Sequence, residues 1–142
     1  MSGYSGTPLV QKLGIKSGFR VAFPEAPETF PALLGDLPER VVLVSEGPID
    51  LAVTFVKSRA DLLARFALGA RRLTPAGILW VAWPKKASGM ATDLNENVVR
   101  DVGLAAGLVD TKVCAIDEIW SGLKFVIRLK DRPTTGTGRD QP

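Results

Sequence analysis

Ile78-Leu79-Trp80-Val81-Ala82-Trp83-Pro84 is the most continuous apolar segment bounded by proline in this chain. Six apolar residues stand in a row before a proline, far short of the ~18 needed to cross a membrane. The run is also too continuous for a half-exposed strand, so it reads as a central strand covered on both faces, as in a parallel sheet. Pro84 ends it, because proline cannot donate to a sheet ladder. Val41-Val42-Leu43-Val44 and Leu51-Ala52-Val53-Thr54-Phe55-Val56 are similar runs, and Phe19-Arg20-Val21-Ala22-Phe23 is a shorter one closed by Pro24.

Helical patterns lie between these strands. Thr7-Pro8 opens a short helix that stops at Gly14, and Pro27-Glu28-Thr29-Phe30 opens another that ends near Gly35. Ser58 caps a third, with Asp61 in its first turn and Leu62, Leu63, Phe66, Ala70 and Leu73 on one face. Thr74-Pro75-Ala76-Gly77 then turns the chain into the central strand. Asp93 and Glu96 form a capping box for a helix through Ala106, whose stripe is Val98, Val99, Val102, Ala105 and Ala106, and Gly107 suits its left-handed end. Val113-Cys114-Ala115-Ile116 is a strand, and Ser121-Gly122 leads into Leu123–Arg128, which alternates like an antiparallel partner.

Strands alternating with helices predict a three-layer α/β fold, a mostly parallel Rossmann-like sheet with an antiparallel C-terminal hairpin strand. Only six residues, Ser45 to Asp50, join Val44 to Leu51, fewer than a parallel crossover normally uses. Whether those two strands are parallel or a hairpin therefore stays open. A length of 142 residues fits one domain, assigned to residues 1–130. From Asp131 onward no aliphatic or aromatic side chain occurs, so 131–142 is read as a disordered tail.

Composition removes several chemistries. The chain has no histidine, which excludes Ser-His-Asp and Cys-His nucleophile systems and histidine-built zinc sites. One cysteine allows no internal disulfide, and the first residues lack a signal peptide's basic and apolar regions, so the cytoplasm is the expected compartment. Lys and Arg exceed Asp and Glu by only 18 to 15, too little to advertise nucleic acid. No metal site, catalytic residue or membrane partner is expected, and a homo-oligomer is left open.

Leu73-Thr74-Pro75-Ala76-Gly77-Ile78-Leu79 resembles the turn into the fifth strand of class I methyltransferases, and Asp50 before an apolar strand is similar to their fourth. That resemblance implies a reduced methyltransferase-like topology and, if a nucleotide binds, Glu46 near the acid that holds ribose hydroxyls. The family's glycine-rich loop after its first strand is here Phe23-Pro24-Glu25-Ala26-Pro27-Glu28, without glycine and with two prolines. Proline adds bulk and removes amide donors, so no cofactor is expected. Tyr4-Ser5-Gly6-Thr7-Pro8-Leu9, Trp83-Pro84-Lys85-Lys86 and Trp120-Ser121-Gly122-Leu123-Lys124-Phe125 resemble the signature stretches of a bacterial family known only as a domain of unknown function, over roughly residues 4 to 128.

Ligands of open α/β sheets bind beyond the carboxyl ends of the strands. That rim gives the candidate ligand-binding residues Lys85, Lys86, Ser88, Asp117, Glu118 and Trp120, with Trp83 and Trp120 as the aromatics expected to be accessible. Lys85-Lys86-Ala87-Ser88-Gly89 lacks the phosphate-loop pattern, and a solvated lysine pair is the plainer account. Asp117-Glu118 points to opposite sides of a strand end, which suits a solvated tip. Cys114 sits mid-strand and reads as inert core. Arg59, Arg65, Arg71 and Arg72 with Lys57 give one helix a basic face, best read as solvated. The leading functional expectation is a non-catalytic binding or interaction module for a small molecule or protein. The alternative is an S-adenosylmethionine-dependent methyltransferase, or another nucleotide-ligand enzyme, with an atypical loop. A nucleic-acid accessory protein is the third.

Overall fold

The computed structural model describes residues 7–132. In chain order the elements are α1 (Leu9–Leu13), β1 (Arg20–Ala22), α2 (Phe30–Leu34), β2 (Val42–Leu43), β3 (Ile49–Phe55), α3 (Arg59–Arg72), β4 (Leu73–Pro84), α4 (Glu96–Ala105), β5 (Leu108–Ala115) and β6 (Trp120–Ile127). The strands form one sheet in the order β2-β1-β3-β4-β6-β5. β2, β1, β3 and β4 run parallel, and β6 is antiparallel to both β4 and β5. The mostly parallel α/β sheet with antiparallel C-terminal strands is therefore what the chain forms.

The short link after β2 has a simple solution. β2 and β3 do not pair with each other, because β1 lies between them and is parallel to both. Ser45–Pro48 can return in so few residues because β2 is only two residues long. The Arg72 guanidinium, donating from Nε to the Gly47 carbonyl at 2.8 Å, holds the link against the end of α3. β2 is not covered on both faces as its apolar run suggested: Val42 and Leu43 are 52% and 64% exposed at the sheet edge.

β4 behaves as its composition demands. Leu79, Trp80, Val81 and Ala82 are all fully buried. Leu79, Val81 and Trp83 pack with Leu62 and Phe66 of α3 and Val99 and Val102 of α4. Trp80 and Ala82 face the other layer, with Val10 and Leu13 of α1 and Phe30 of α2. The Trp80 indole N–H donates to the Leu13 carbonyl at 2.9 Å, so this buried polar atom is satisfied while it ties α1 to the central strand. The strand also begins earlier than expected. Thr74–Gly77 forms an irregularity inside it, between the Ile49–Leu73 and Leu51–Ile78 pairs, rather than a turn before it.

The helix faces are narrower than their patterns. Leu62 and Phe66 are buried in α3, whereas Leu63 is 45% exposed. In α4 the buried positions are Val99, Val102 and Gly103, and Ala105 and Ala106 are exposed. Gly103 is needed because the Phe125 ring of β6 occupies the space of a side chain there: a Cβ would lie 2.0 Å from Phe125 Cε1. Phe66 meets the same ring edge-on at 5.1 Å. Gly107, at φ +93°, closes α4 in the left-handed conformation expected of it. β5 then starts at Leu108, earlier than the Val113 expected, and carries a bulge between Asp110 and Lys112. Asp131 belongs to a 3-10 turn at Leu129–Asp131, and from Pro133 the segment expected to be disordered lies outside the described residues.

At the amino edge, Asp50 accepts from the Arg20 backbone N–H at 2.7 Å, the Arg20 Nε at 3.1 Å and the Thr74 hydroxyl at 3.2 Å, joining β1, β3 and β4. Burial works to raise this carboxyl, but the Arg20 and Thr74 bonds outweigh it and hold it below its ordinary range.

Two outcomes follow from this packing. Gly103→Ala should lower stability by about 1–3 kcal/mol in urea unfolding, since Phe125 has no free volume to retreat into. A depressed carboxyl adds stability above its unfolded value, about 3.9, that is lost as pH falls through the folded value. Asp50→Asn should therefore be less stable than the parent at neutral pH, and the gap should close in acid below that window. An unchanged gap across the titration would exclude the ion pair as its source.

Candidate functional site

Four parallel strands deliver their carboxyl ends to one edge, and the antiparallel pair brings the β5–β6 turn to the same edge. The Pro84–Trp120 and Trp83–Ser121 pairs fix the two loops side by side, and the Lys85 N–H donates to the Ile119 carbonyl at 2.7 Å. Between the end of β4 and the start of α4 this edge opens into a cleft of about 520 Å³. Trp83, Met90 and Leu94 line it with apolar surface, Lys85 and Lys86 with cations, and Thr92, Asn95 and Ser121 with neutral polar groups. Asp93 and Glu96 bring the opposite charge to the same lining.

The loop that builds this cleft is held by its own polar side chains. Ser88 Oγ donates to the Lys85 carbonyl at 2.7 Å and accepts from the Met90 N–H at 3.1 Å. Thr92 Oγ1 donates to the Lys57 carbonyl at 2.6 Å and accepts from the Leu94 N–H. The capping box expected at Asp93 shifts by two residues. Asn95 accepts from Val98 N–H and caps α4, while Asp93 accepts from Arg59 N–H at 2.8 Å and serves the start of α3. Both helices therefore begin against one loop.

The candidate residues separate accordingly. Lys85 and Lys86 line the cleft. Ser88 is engaged in its turn. Asp117 Oδ1 accepts from the Ile119 and Trp120 N–H groups, at 2.8 and 2.7 Å, and so shapes the β5–β6 turn. Glu118 is exposed. Trp120, expected to be accessible, is 5% exposed and meets Phe55 edge-on at 5.1 Å, because β6 begins at Trp120, three residues before the Leu123 expected. Trp83 is equally buried and contributes only its cleft edge. Burial pushes the Cys114 thiol up, against a partial opposing effect of Lys12 and Lys112, as an unreactive core cysteine requires.

The residues that the resemblance assigns to a cofactor do not form its cradle. Pro24 and Glu25 make a tight turn after β1, closed by Ala26 N–H donating to the Phe23 carbonyl at 3.2 Å. Glu25 holds φ +60°, the left-handed region that position i+2 of a type II turn demands and that glycine fills without strain. Its carboxylate lies 3.3 Å from Arg65. The Phe23 ring packs on Phe30 at 5.1 Å. The prolines have no N–H and the Ala26 amide is engaged, so this loop has fewer backbone donors to offer than a glycine-rich one. Glu46 is farther still from its expected place. It lines a cleft of about 610 Å³ with Arg71, Arg72 and Thr74, at the amino edge where α3 passes into β4.

No protein-family model matches this sequence, and no curated protein matches it. Solved structures do. A S-adenosylmethionine-dependent methyltransferase from Aquifex aeolicus superposes with a TM-score of 0.54 at 17% identity, over 84% of this chain and 88% of that one. Magnesium protoporphyrin IX methyltransferase from Synechocystis, with bound S-adenosylmethionine, gives 0.58 at 12% identity over 84% and 74%. Aeropyrum pernix fibrillarin, with natively bound S-adenosylmethionine, gives 0.55 at 13% over 87% and 70%. At these identities the likeness shows a methyltransferase-like fold. It also corrects the expectation of a non-catalytic module: the neighbours named above are methyltransferases or hold bound S-adenosylmethionine, which favours the alternative reading over that one.

The burial pattern makes a direct comparison possible. Trp120→Ala should cost about 3–5 kcal/mol in thermal or urea unfolding, as for a large core aromatic. Lys85→Ala and Lys86→Ala should each cost under about 1 kcal/mol. Equal, small effects at all three positions would mean that Trp120 does not support the fold.

Proposed function

We propose that this chain is an enzyme of the methyltransferase type, using S-adenosylmethionine or another nucleotide-like ligand, that seats its ligand over β4 and β6 and not over the β1 loop. The observation that carries the reading is the coincidence of a methyltransferase-like sheet with a formed cleft at its carboxyl edge. The ligand class follows from the lining. Lys85 and Lys86 suit a phosphate or carboxylate, Trp83, Met90 and Leu94 suit a flat apolar body, and Asn95 and Ser121 can orient polar edges. The β1 turn does not fit the cofactor in the family's manner, so no chemical step is assigned through it.

The chain's own groups constrain the chemistry. Without histidine, the titratable groups the cleft offers for proton transfer are Asp93, Glu96, Lys85 and Lys86. A bacterial origin belongs to the same proposal, supported by the resemblance of Trp83–Lys86 and Trp120–Phe125 to the uncharacterised bacterial family. A cytoplasmic place is proposed with it, in keeping with the free, buried Cys114. Among the described residues no helix is long and apolar enough to cross a membrane.

Calorimetric titration with S-adenosylmethionine, S-adenosylhomocysteine and adenosine triphosphate tests the reading. At least one should bind saturably, and a Lys85→Ala/Lys86→Ala variant should bind it at least tenfold more weakly while unfolding at the same temperature. Failure of all three ligands, or binding indifferent to the double substitution, would contradict it.

A further inference from the structure

Two helices cover the β1, β3 and β4 end of one sheet face, but α1 and α2 are five residues each, and of β5 and β6 their layer buries Cys114 and Trp120 and leaves the end at the exposed Lys112 uncovered. On this uncovered end Lys112 of β5 stands directly opposite Lys124 of β6. Like charges facing each other across strands are destabilising. The bulge at Thr111 creates the clash. Leu108 packs toward α4 and Asp110 reaches Arg100 of that helix at 2.9 Å, but after the extra residue Cys114 faces the α1 layer, and Lys112, two residues before it, shares that side.

The cluster is larger than the pair. Lys112 and Lys16, in the loop after α1, both act on the Lys124 ammonium, and Lys12 and Lys112 both act on Cys114. Lys12 Nζ lies 3.5 Å from the Ala115 carbonyl, which places the end of α1 beside β5. Among the described residues no carboxylate lies within 4 Å of Lys16, Lys112 or Lys124. Lys124 is half-buried, and burial first, then Lys112 and Lys16, pull its ammonium down. A chain folding for stability alone has no reason to gather these cations.

The basic face foreseen from sequence lies elsewhere and is largely engaged. On α3, Arg65 contacts Asp61 and Glu25, and Arg72 serves Gly47. By contrast, Lys16, Lys112 and Lys124 line neither of the clefts described above. A single small anion gains little on such an open surface. A polymer of phosphates gains at every contact through counterion release. We infer that the β5–β6 end of the α1 face, carrying Lys16, Lys112 and Lys124, is a docking surface for the phosphodiester backbone of a nucleic acid. The inference is independent of the ligand proposed for the carboxyl-edge cleft.

Fluorescence anisotropy of the full chain with a labelled single-stranded oligonucleotide, and with the same sequence as a duplex, tests this. Three lysine contacts predict slopes of log affinity against log salt of about −2 for the single strand and about −3 for the duplex. Lys112→Gln/Lys124→Gln should flatten either slope to about −1 and keep or raise the thermal midpoint, because it removes a repulsion. Arg71→Gln, on α3, should bind like the parent. No salt-dependent binding to either probe, a slope unchanged in the double variant, or competition by inorganic phosphate as effective as unlabelled oligonucleotide would each overturn the inference. So would double-variant binding lost only together with the fold.

Discussion

The burial of β4 on both faces is the constraint on which the rest of the molecule depends. Leu79 and Val81 need one layer of helices and Trp80 and Ala82 need another, so a single strand requires the three-layer arrangement. A parallel partner at β3 and an antiparallel one at β6 complete its hydrogen bonding. Burying an aromatic as large as Trp80 is worth on the order of 2–3 kcal/mol, provided its N–H is satisfied, and the Leu13 carbonyl satisfies it. The same bond brings α1 over the sheet and fixes where that layer stops.

The two ends of the sheet use this constraint differently. At the amino edge, Asp50 and Arg72 anchor short links, so three strands are joined with little chain. At the carboxyl edge, β4 ends beside the start of β6, and eleven residues separate Pro84 from α4. That loop is long enough to enclose a cleft, whereas the turn after β1 is tight, proline-bound and packed on Phe30. The cleft formed on this rim therefore lies beside the end of β4, away from the β1 turn.

The order of helices and strands was legible in the sequence because apolar runs and caps are local signals. Gly14, Gly107 and Ser58 mark ends that the structure reproduces. What was not legible depends on register. Trp120 looked like a loop residue because Ser121-Gly122 reads as a turn, yet the antiparallel pairing with Pro84 carries it into the core. Glu46 seemed to follow a strand end, but a two-residue β2 lets the link swing to the other edge. Asp93 and Asn95 both suit a helix cap, and only the tertiary neighbour Arg59 decides between them. The Lys112–Lys124 pair was hidden by a bulge, which no periodicity reveals.

The central claim is that ligand binds over β4 and β6. Amide chemical-shift mapping of the labelled protein, titrated with whichever nucleotide-like ligand binds, tests it most directly. Ligand seated there should shift Lys85, Lys86, Thr92–Glu96 and Ser121 and leave Phe23–Ala26 and Glu46 unmoved. Shifts centred on Phe23–Ala26 would contradict it and return the site to the first strand.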